Sequence, residues 1–410
     1  MAGADELPEP RSSYRPGCSL VRAEAGSSGG LVREHRPAGT HRGRPESGGP
    51  LVYTGNHEPN SPHPGDEDTE HAPISPKWRL QRTAKQILTG SKSLQKCHST
   101  PRGAVEVWRS AERSTAAYRG LCTCQSVWCC PVCSAKIAAR RAQELTDAIA
   151  THRANGGTVY LLTFTASHSR SDLLPDLVSA HMSAHARFWR QGGVRRTLEG
   201  LGVVGRVTAF EVTFGHDTGW HPHRHALVFV EQDDEHTAFE LFDCLSDEWV
   251  RCCASSGLHA TREHGLDVRG GEAAGAYVAK LGLEVALAVR KVGRRSRFGI
   301  WQLLEQAQNP WARAAFAAFA HAMKGKRHLV WSRGLKARLG VEDVSDEEIM
   351  EDGGSEDEAL LAVLSRSLWR GVYANEIRGE LLQILGIGDL EEARTLLLAF
   401  GLDPAGLTSG

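Results

Sequence analysis

The sequence predicts an α+β fold in which helices pack on an antiparallel sheet, in the order βαββαβα. Three features carry that expectation. Thr158–Thr165 and Arg206–Phe214 are rich in β-branched and aromatic residues, as strands are. Gly215–Trp220 has the composition of a hairpin loop and joins the second run to a third, which ends in the apolar Ala226–Val230. The intervening segments carry apolar residues at helical spacing instead.

The elements follow in order. After the first strand, a helix is expected from Ser171, whose hydroxyl can cap it, to about Arg190, with Leu174, Leu177, His181 and His185 along one side. The hairpin of the second and third strands comes next, then a helix near His236–Cys252. A short strand near Leu266–Arg269 and a helix from Glu272 to Val289 complete the unit. Upstream, Ser134–Ile149 reads as an amphipathic helix with Ile137, Ala138, Ala142, Leu145 and Ile149 near one face. Downstream, Ile300–Leu304 and Trp311–Met323 read as helical and Arg327–Leu335 as a strand and turn.

Net charge is −1 over 410 residues, which by itself argues against a polyanionic partner. The average conceals a strong asymmetry. Val341–Leu360 holds ten acidic residues and no basic one, so the rest of the chain carries +9, a balance compatible with nucleic acid. Basic runs at Arg290, Lys291, Arg294, Arg295 and Arg297, and at Lys324, Lys326 and Arg327, are candidate phosphate contacts, with a solvated charged face as the alternative. The first residues lack a basic start and an apolar core, and no apolar run reaches the ~18 residues of a membrane helix, so a cytoplasmic location and no membrane partner are expected.

Three motifs carry chemistry. In His221-Pro222-His223-Arg224-His225, alternate side chains of a strand share a face, which sets His223 and His225 about 6.7 Å apart along the chain. Glu211, on the preceding strand, can fold back beside them. Two imidazoles and a carboxylate with open positions suit Mg²⁺ or Mn²⁺ acting on a phosphate oxygen. His221 is either a further ligand or a DNA contact. The second motif is Tyr277-Val278-Ala279-Lys280. Spacing of i, i+3 puts Tyr277 and Lys280 on one helical face, and a phenol with a pKa near 10 needs such a cation to serve as a nucleophile. Third, five cysteines crowd into Cys122–Cys133, a pattern that favours a metal over disulfides in a reducing compartment. Cys130 and Cys133 make a tight knuckle for structural Zn²⁺. Cys97 and Cys124 are the chosen completing pair, with Cys122, Cys129 and His98 as substitutes.

Together these motifs resemble the rolling-circle plasmid replication initiators of the HUH endonuclease superfamily. Leu161–Thr165 resembles the family's first motif, His221–His225 its metal motif and Tyr277–Lys280 its nucleophile motif. Trp128–Ile137 and Gly325–Gly334 resemble segments of initiators from high-GC Gram-positive plasmids. The resemblance covers about Cys97–Met350. It implies an HUH-type sheet and a site-specific DNA endonuclease and strand transferase that binds double- and single-stranded origin DNA. Tyr277 would form a 5′-phosphotyrosine and leave a 3′-hydroxyl to prime synthesis, with a host helicase and replication machinery as partners and a homodimer as one assembly. Some relatives terminate with a Glu four residues before the tyrosine. Ala273 stands there here, and Glu272 and Glu284 are equal candidates. A relaxase or single-strand transposase of the same superfamily, and a non-catalytic zinc-ribbon regulator, are the competing readings.

The expected organisation is therefore a disordered tail (1–75), a zinc-ribbon-like cysteine segment with its linking helix (76–150) and the endonuclease domain (151–300). A DNA-binding extension (301–340), an acidic linker (341–358) and a small helical C-terminal unit (359–410) follow.

Overall fold

The computed structural model describes residues 76–231, 237–283, 297–351 and 357–410. The tail expected over 1–75 lies outside them, as do Glu284, Arg290, Lys291, Arg294 and Arg295. The first described element is a helix at Pro76–Ile87, followed by a hairpin of β1 (Pro101–Ser110) and β2 (Thr115–Leu121). The linking helix then runs from Pro131 to Ala154. Pro131 suits its first turn, where a missing N–H costs nothing.

The central sheet contains β3 (Thr158–Phe164), β4 (Val203–Gly215), β5 (Gly219–Val230), β6 (Leu266–Arg269), β7 (Arg297–Phe298) and β8 (Leu329–Trp331). Its order is β6-β3-β5-β4, and both β7 and β8 pair with the far edge of β4. Every pairing is antiparallel. Helices Leu174–Phe188 and Thr237–Ala254 and the tyrosine helix Gly271–Leu283 alternate with β3 to β6 as β-α-β-β-α-β-α, with two short helices inserted at Gly192–Gly200 and Arg262–Gly265.

Strand alternation gives this sheet two apolar faces. Val159, Leu161, Val207, Ala209, Leu227 and Phe229 pack under Leu145, Ala148 and Ile149 of the linking helix and Ala274, Tyr277 and Val278 of the tyrosine helix. The opposite face, with Leu162, Phe164, Phe210 and Val228, belongs to a larger core with Val178, Phe188, Leu245 and Trp249. Both faces being covered explains why β5 reads as a continuous apolar run from Ala226 to Val230, all buried, rather than as an alternation.

Several expectations are corrected. The helix after β3 starts at Leu174, with no side-chain cap, rather than at Ser171. Ser171 instead belongs to a turn in which the Asp172 carboxylate accepts from Ser169 N at 2.7 Å and Ser169 Oγ at 2.8 Å, and Pro175 opens the helix beyond it. The C-terminal segment is not purely helical. Two strands, β9 (Glu358–Leu364) and β10 (Leu407–Ser409), join the first hairpin in a second antiparallel sheet ordered β10-β9-β1-β2. The Leu and Ala residues of β9 are good helix formers, and a short apolar run cannot be assigned by periodicity alone.

Nor is the acidic stretch a free linker. Asp346–Glu351 forms a short helix with Ile349 buried, and Arg141 of the linking helix donates to Asp346 at 2.7 Å and to the Val344 carbonyl at 2.8 Å. Lys336 pairs with Asp343 and Arg102 with Glu351. The acids thus neutralise basic side chains of the same chain. The 301–340 extension likewise enters the central sheet through β8. Among the described residues no helix is long and apolar enough to cross a membrane.

The second sheet closes on Trp369, which is fully buried, lies 4.8 Å from the Tyr118 ring and donates its indole N–H to the Ser99 carbonyl at 3.1 Å. Trp369→Ala should cost about 3–5 kcal/mol in denaturant unfolding, from lost burial and the cavity left behind. Phe400→Ala, at an exposed position, serves as the control and should stay within about 0.5 kcal/mol.

Candidate active site

The β4–β5 register places Glu211 directly opposite His223 and Ala209 opposite His225, while Thr163 of β3 flanks His225 on the other side. All of these side chains therefore share one sheet face, the one covered by the tyrosine helix. Ligand atoms of Glu211, His223 and His225 lie within 4.8 Å of one another. Glu211 Oε2 is 3.2 Å from His223 Nε2 and 3.6 Å from His225 Nε2.

The remaining ring nitrogens are held from behind. His223 Nδ1 is 3.3 Å from the His221 carbonyl and His225 Nδ1 is 3.1 Å from Thr163 Oγ1. With Nδ1–H of His223 donating to a carbonyl, its Nε2 meets the Glu211 carboxylate either as a second N–H donor of the protonated ring or across a shared cation. Donors about 2.1 Å from one octahedral cation lie about 3 Å apart at right angles, close to the spacings here. The donor set fits a divalent metal. Burial pushes the Glu211 carboxyl up, but hydrogen bonds and charge from His223 and His225 outweigh it and hold the group well below the usual carboxylate range.

Tyr277 joins this site. Its ring centroid lies 4.6 Å from that of His225 and its side chain is only 6% exposed, so the candidate nucleophile packs against a candidate ligand. Lys280 follows it in the same helix, with its side chain outside the described residues. Glu272 is exposed in the helix's first turn.

His221 is not among the converging ligands. Its ring lies 5.3 Å from His223 and 4.9 Å from His168, a residue of the loop after β3 that sequence reasoning passed over. Burial, with the charges of His223 and Arg297, lowers the His221 pKa to about 3. Arg224, between the two ligand histidines in sequence, points to the opposite face and lies over the Phe210 ring at 4.6 Å.

The basic candidates flank the site. Arg297 begins β7 opposite Gly215 and is exposed. Lys324 and Arg327 are exposed and Lys326 is half-buried, in the loop that leads into β8. Phe210 N donates to the His328 carbonyl at 3.2 Å, which fixes that loop beside the Glu211 end of β4.

The cysteine cluster is the second metal-competent group. Sulfurs of Cys97, Cys124, Cys130 and Cys133 converge, with Cys97 Sγ 3.7 Å from Cys130 and 3.5 Å from Cys133, and Cys124 Sγ 3.7 Å from Cys133. Tetrahedral Zn²⁺ with bonds of about 2.3 Å separates its sulfurs by about 3.8 Å, so these four fit. Cys122 and Cys129, the substitutes, are not in the converging set, and His98 approaches only Cys97, at 3.1 Å. Hydrogen bonds from Cys124, Cys130 and Cys133 hold the Cys97 thiol far below its usual range.

Sequence gave no hint of the shell behind these sulfurs. Buried Gln81 donates to Cys97 Sγ at 3.4 Å and Cys130 Sγ at 3.2 Å, and Arg378, from the far end of the chain, donates to Gln81 Oε1 at 3.2 Å. Trp128 links the cluster to the active-site side: its indole N–H donates to the Lys326 carbonyl at 2.7 Å and its ring meets His328 at 5.2 Å.

Residues 117–271 match the family model Rep_1, described as a replication protein. The matched region contains Glu211, the three strand histidines and three of the four converging cysteines, while Cys97 and Tyr277 fall outside it. The chain is 29% identical over 300 residues to "Protein rep" of Streptomyces lividans, covering 56% of this chain and 66% of that protein. It is also 36% identical over 135 residues to a protein named "Neomycin resistance protein" from Streptomyces cyanogenus, covering 27% of this chain and 31% of that one. The chain thus spans less than two thirds of the length of either relative. No solved structure matches it.

Metal analysis checks the cysteine cluster. Wild-type protein should contain about one zinc per chain, lost in Cys130→Ser together with a lower melting temperature. Zinc near zero in a folded wild-type preparation would contradict the assignment.

Proposed function

We propose that this chain is a plasmid replication initiator of the HUH type, which nicks one strand of its origin with Tyr277 and primes rolling-circle synthesis. The observation that carries the reading is the contact between Tyr277 and His225. It unites a nucleophile and a metal-competent triad, separated by more than fifty residues of chain, in one site.

Glu211, His223 and His225 would hold Mg²⁺ or Mn²⁺. That cation supplies Lewis-acid stabilisation to the charge that builds on the phosphate oxygens. Thr163 and the His221 carbonyl keep the two imidazoles turned toward Glu211, as supporting groups around metal ligands do. Tyr277 Oη attacks phosphorus: the Oη–P bond forms, the P–O3′ bond breaks, and the phenolic proton passes to water while the departing 3′-oxygen takes one up. The products are a 5′-phosphotyrosine and a 3′-hydroxyl. Lys280, three residues on, would favour the phenolate. Glu272 and Glu284 remain the candidates for activating the water or second strand that ends a round.

Arg297, Lys324, Lys326 and Arg327 lie on the elements that border the triad and would grip the strand's phosphates, with Arg290, Lys291, Arg294 and Arg295 as further candidates from the sequence. The cysteine cluster, as a Zn²⁺ site, would brace the Lys324–Arg327 loop through Trp128. Origin DNA, a host helicase and the replication machinery are the proposed partners, with a homodimer as an assembly compatible with them.

Incubating purified chain with single-stranded origin DNA and Mn²⁺ should give a nick and a covalent protein–DNA adduct. Tyr277→Phe should abolish the adduct while leaving DNA binding intact; an unchanged adduct would remove Tyr277 as nucleophile. His223→Ala and His225→Ala should each reduce cleavage by at least about 100-fold, as should excess chelator. Full activity in chelator would contradict the metal assignment.

A further inference from the structure

We infer that the cavity lined by the first helix, β2 and the start of the linking helix is a nucleotide-binding subsite, in which Lys77 meets the phosphate and Thr123 supplies a further hydrogen bond. It shares no residue with the metal triad or with the basic candidates around it, and it stands apart from the nicking chemistry.

The cavity has a volume of about 480 Å³, within the range of small-molecule sites. Lys77 and Trp78 line it from the first helix, Tyr118 and Arg119 from β2, and Val132 and Lys136 from the first turns of the 24-residue linking helix. Glu351 of the acidic helix and Leu382 of the helix Arg378–Ile387 complete the wall. Three lining residues are chain neighbours of converging cysteines: His98 follows Cys97, Thr123 precedes Cys124 and Val132 precedes Cys133. A Zn²⁺ held by those cysteines would therefore fix part of the cavity as well.

The lining holds four cations, Lys77, Arg102, Arg119 and Lys136, against two carboxylates, Glu351 and Glu358. Arg102 pairs with Glu351 at 3.2 Å and Arg119 with Glu358 at 2.6 Å, so the surplus charge belongs to the lysines. Lys77 has no acidic partner among the described residues: its ammonium approaches only the Trp78 ring, at 5.8 Å, and burial lowers its pKa. Thr123 Oγ1 is likewise buried without a hydrogen-bond partner among the described residues. An ammonium and a hydroxyl left unmet in one cavity are costly unless a ligand or water completes them, and a desolvated ammonium calls for an anion.

A nucleotide fits this combination better than a bare anion. Its phosphate would accept from Lys77 near the N-terminus of the linking helix, whose peptide dipoles favour negative charge. A base needs apolar surface beside the cations, which Tyr118, Val132 and Leu382 provide, and the Thr123 hydroxyl can donate to a base edge or accept from it. Inorganic phosphate would leave that apolar wall unused. The nucleotide can belong to a DNA strand or be free, since both present the same base and phosphate.

The test uses the full chain carrying Tyr277→Phe, so that DNA is bound without cleavage, and isothermal titration calorimetry with dAMP, inorganic phosphate and a short single-stranded oligonucleotide from the replicon's origin. Lys77→Gln should weaken one nucleotide source about 10-fold: the oligonucleotide if the occupant belongs to a strand, dAMP if it is free. Thr123→Val should weaken the same probe about 3-fold. Zinc content should hold in both variants, and the melting temperature of Lys77→Gln should hold or rise, because an unpaired ammonium is removed. Affinities for dAMP and oligonucleotide that neither substitution alters would overturn the subsite. So would a lower melting temperature in Lys77→Gln with unchanged affinities, which would make Lys77 a structural partner of Trp78. Inorganic phosphate binding as tightly as dAMP, together with an abasic oligonucleotide binding as tightly as the intact one, would also overturn it. Adduct formation by the unmodified Tyr277 chain is scored separately, so failure of the nuclease reading and failure of the subsite are distinct results.

Discussion

The register between β4 and β5 is the constraint on which the rest depends. Gly215 and Gly219 face each other at the hairpin end, and from that pairing Glu211 falls opposite His223. Because side chains alternate along a strand, a slip of one residue would turn Glu211 away from the imidazoles and bury Arg224 in their place. The apolar face beyond the site enforces the register, since Leu227 and Phe229 must meet the linking and tyrosine helices on the same side as His223 and His225. The core and the chemistry are thus specified by one alternation.

The second organising element joins distant parts of the chain. Gln81 touches two of the converging sulfurs and accepts from Arg378, while Trp128 reaches the loop bearing Lys326. A metal at the four cysteines would therefore stabilise contacts between the first helix, the C-terminal helix Arg378–Ile387 and the border of the candidate active site at once. Such coupling gives a structural ion consequences beyond its own ligands.

Much of this was legible in the sequence where local pattern and chemistry coincide. The alternation in His221–His225 and the position of Glu211 before a hairpin point to one site, and the knuckle spacing of Cys130 and Cys133 marks a second, whereas the preference for Cys97 and Cys124 over Cys122, Cys129 and His98 has its basis in the fold. What escaped was non-local. β9 pairs with β1 across some 250 residues, and nothing in its Leu- and Ala-rich run announces a strand. The acidic stretch read as a linker because its partners, Arg141 and Lys336, are remote in sequence. His168 escaped for the same reason, being one histidine in a polar loop until the fold sets it beside His221.

The central claim is that Glu211, His223 and His225 bind a divalent cation next to Tyr277. Anomalous diffraction from crystals of the chain soaked in Mn²⁺ tests it most directly. The account predicts a single strong peak at about 2.2 Å from Glu211 Oε, His223 Nε2 and His225 Nε2, with the Tyr277 ring against His225. An ordered triad with no peak, or Mn²⁺ bound only elsewhere, would contradict it.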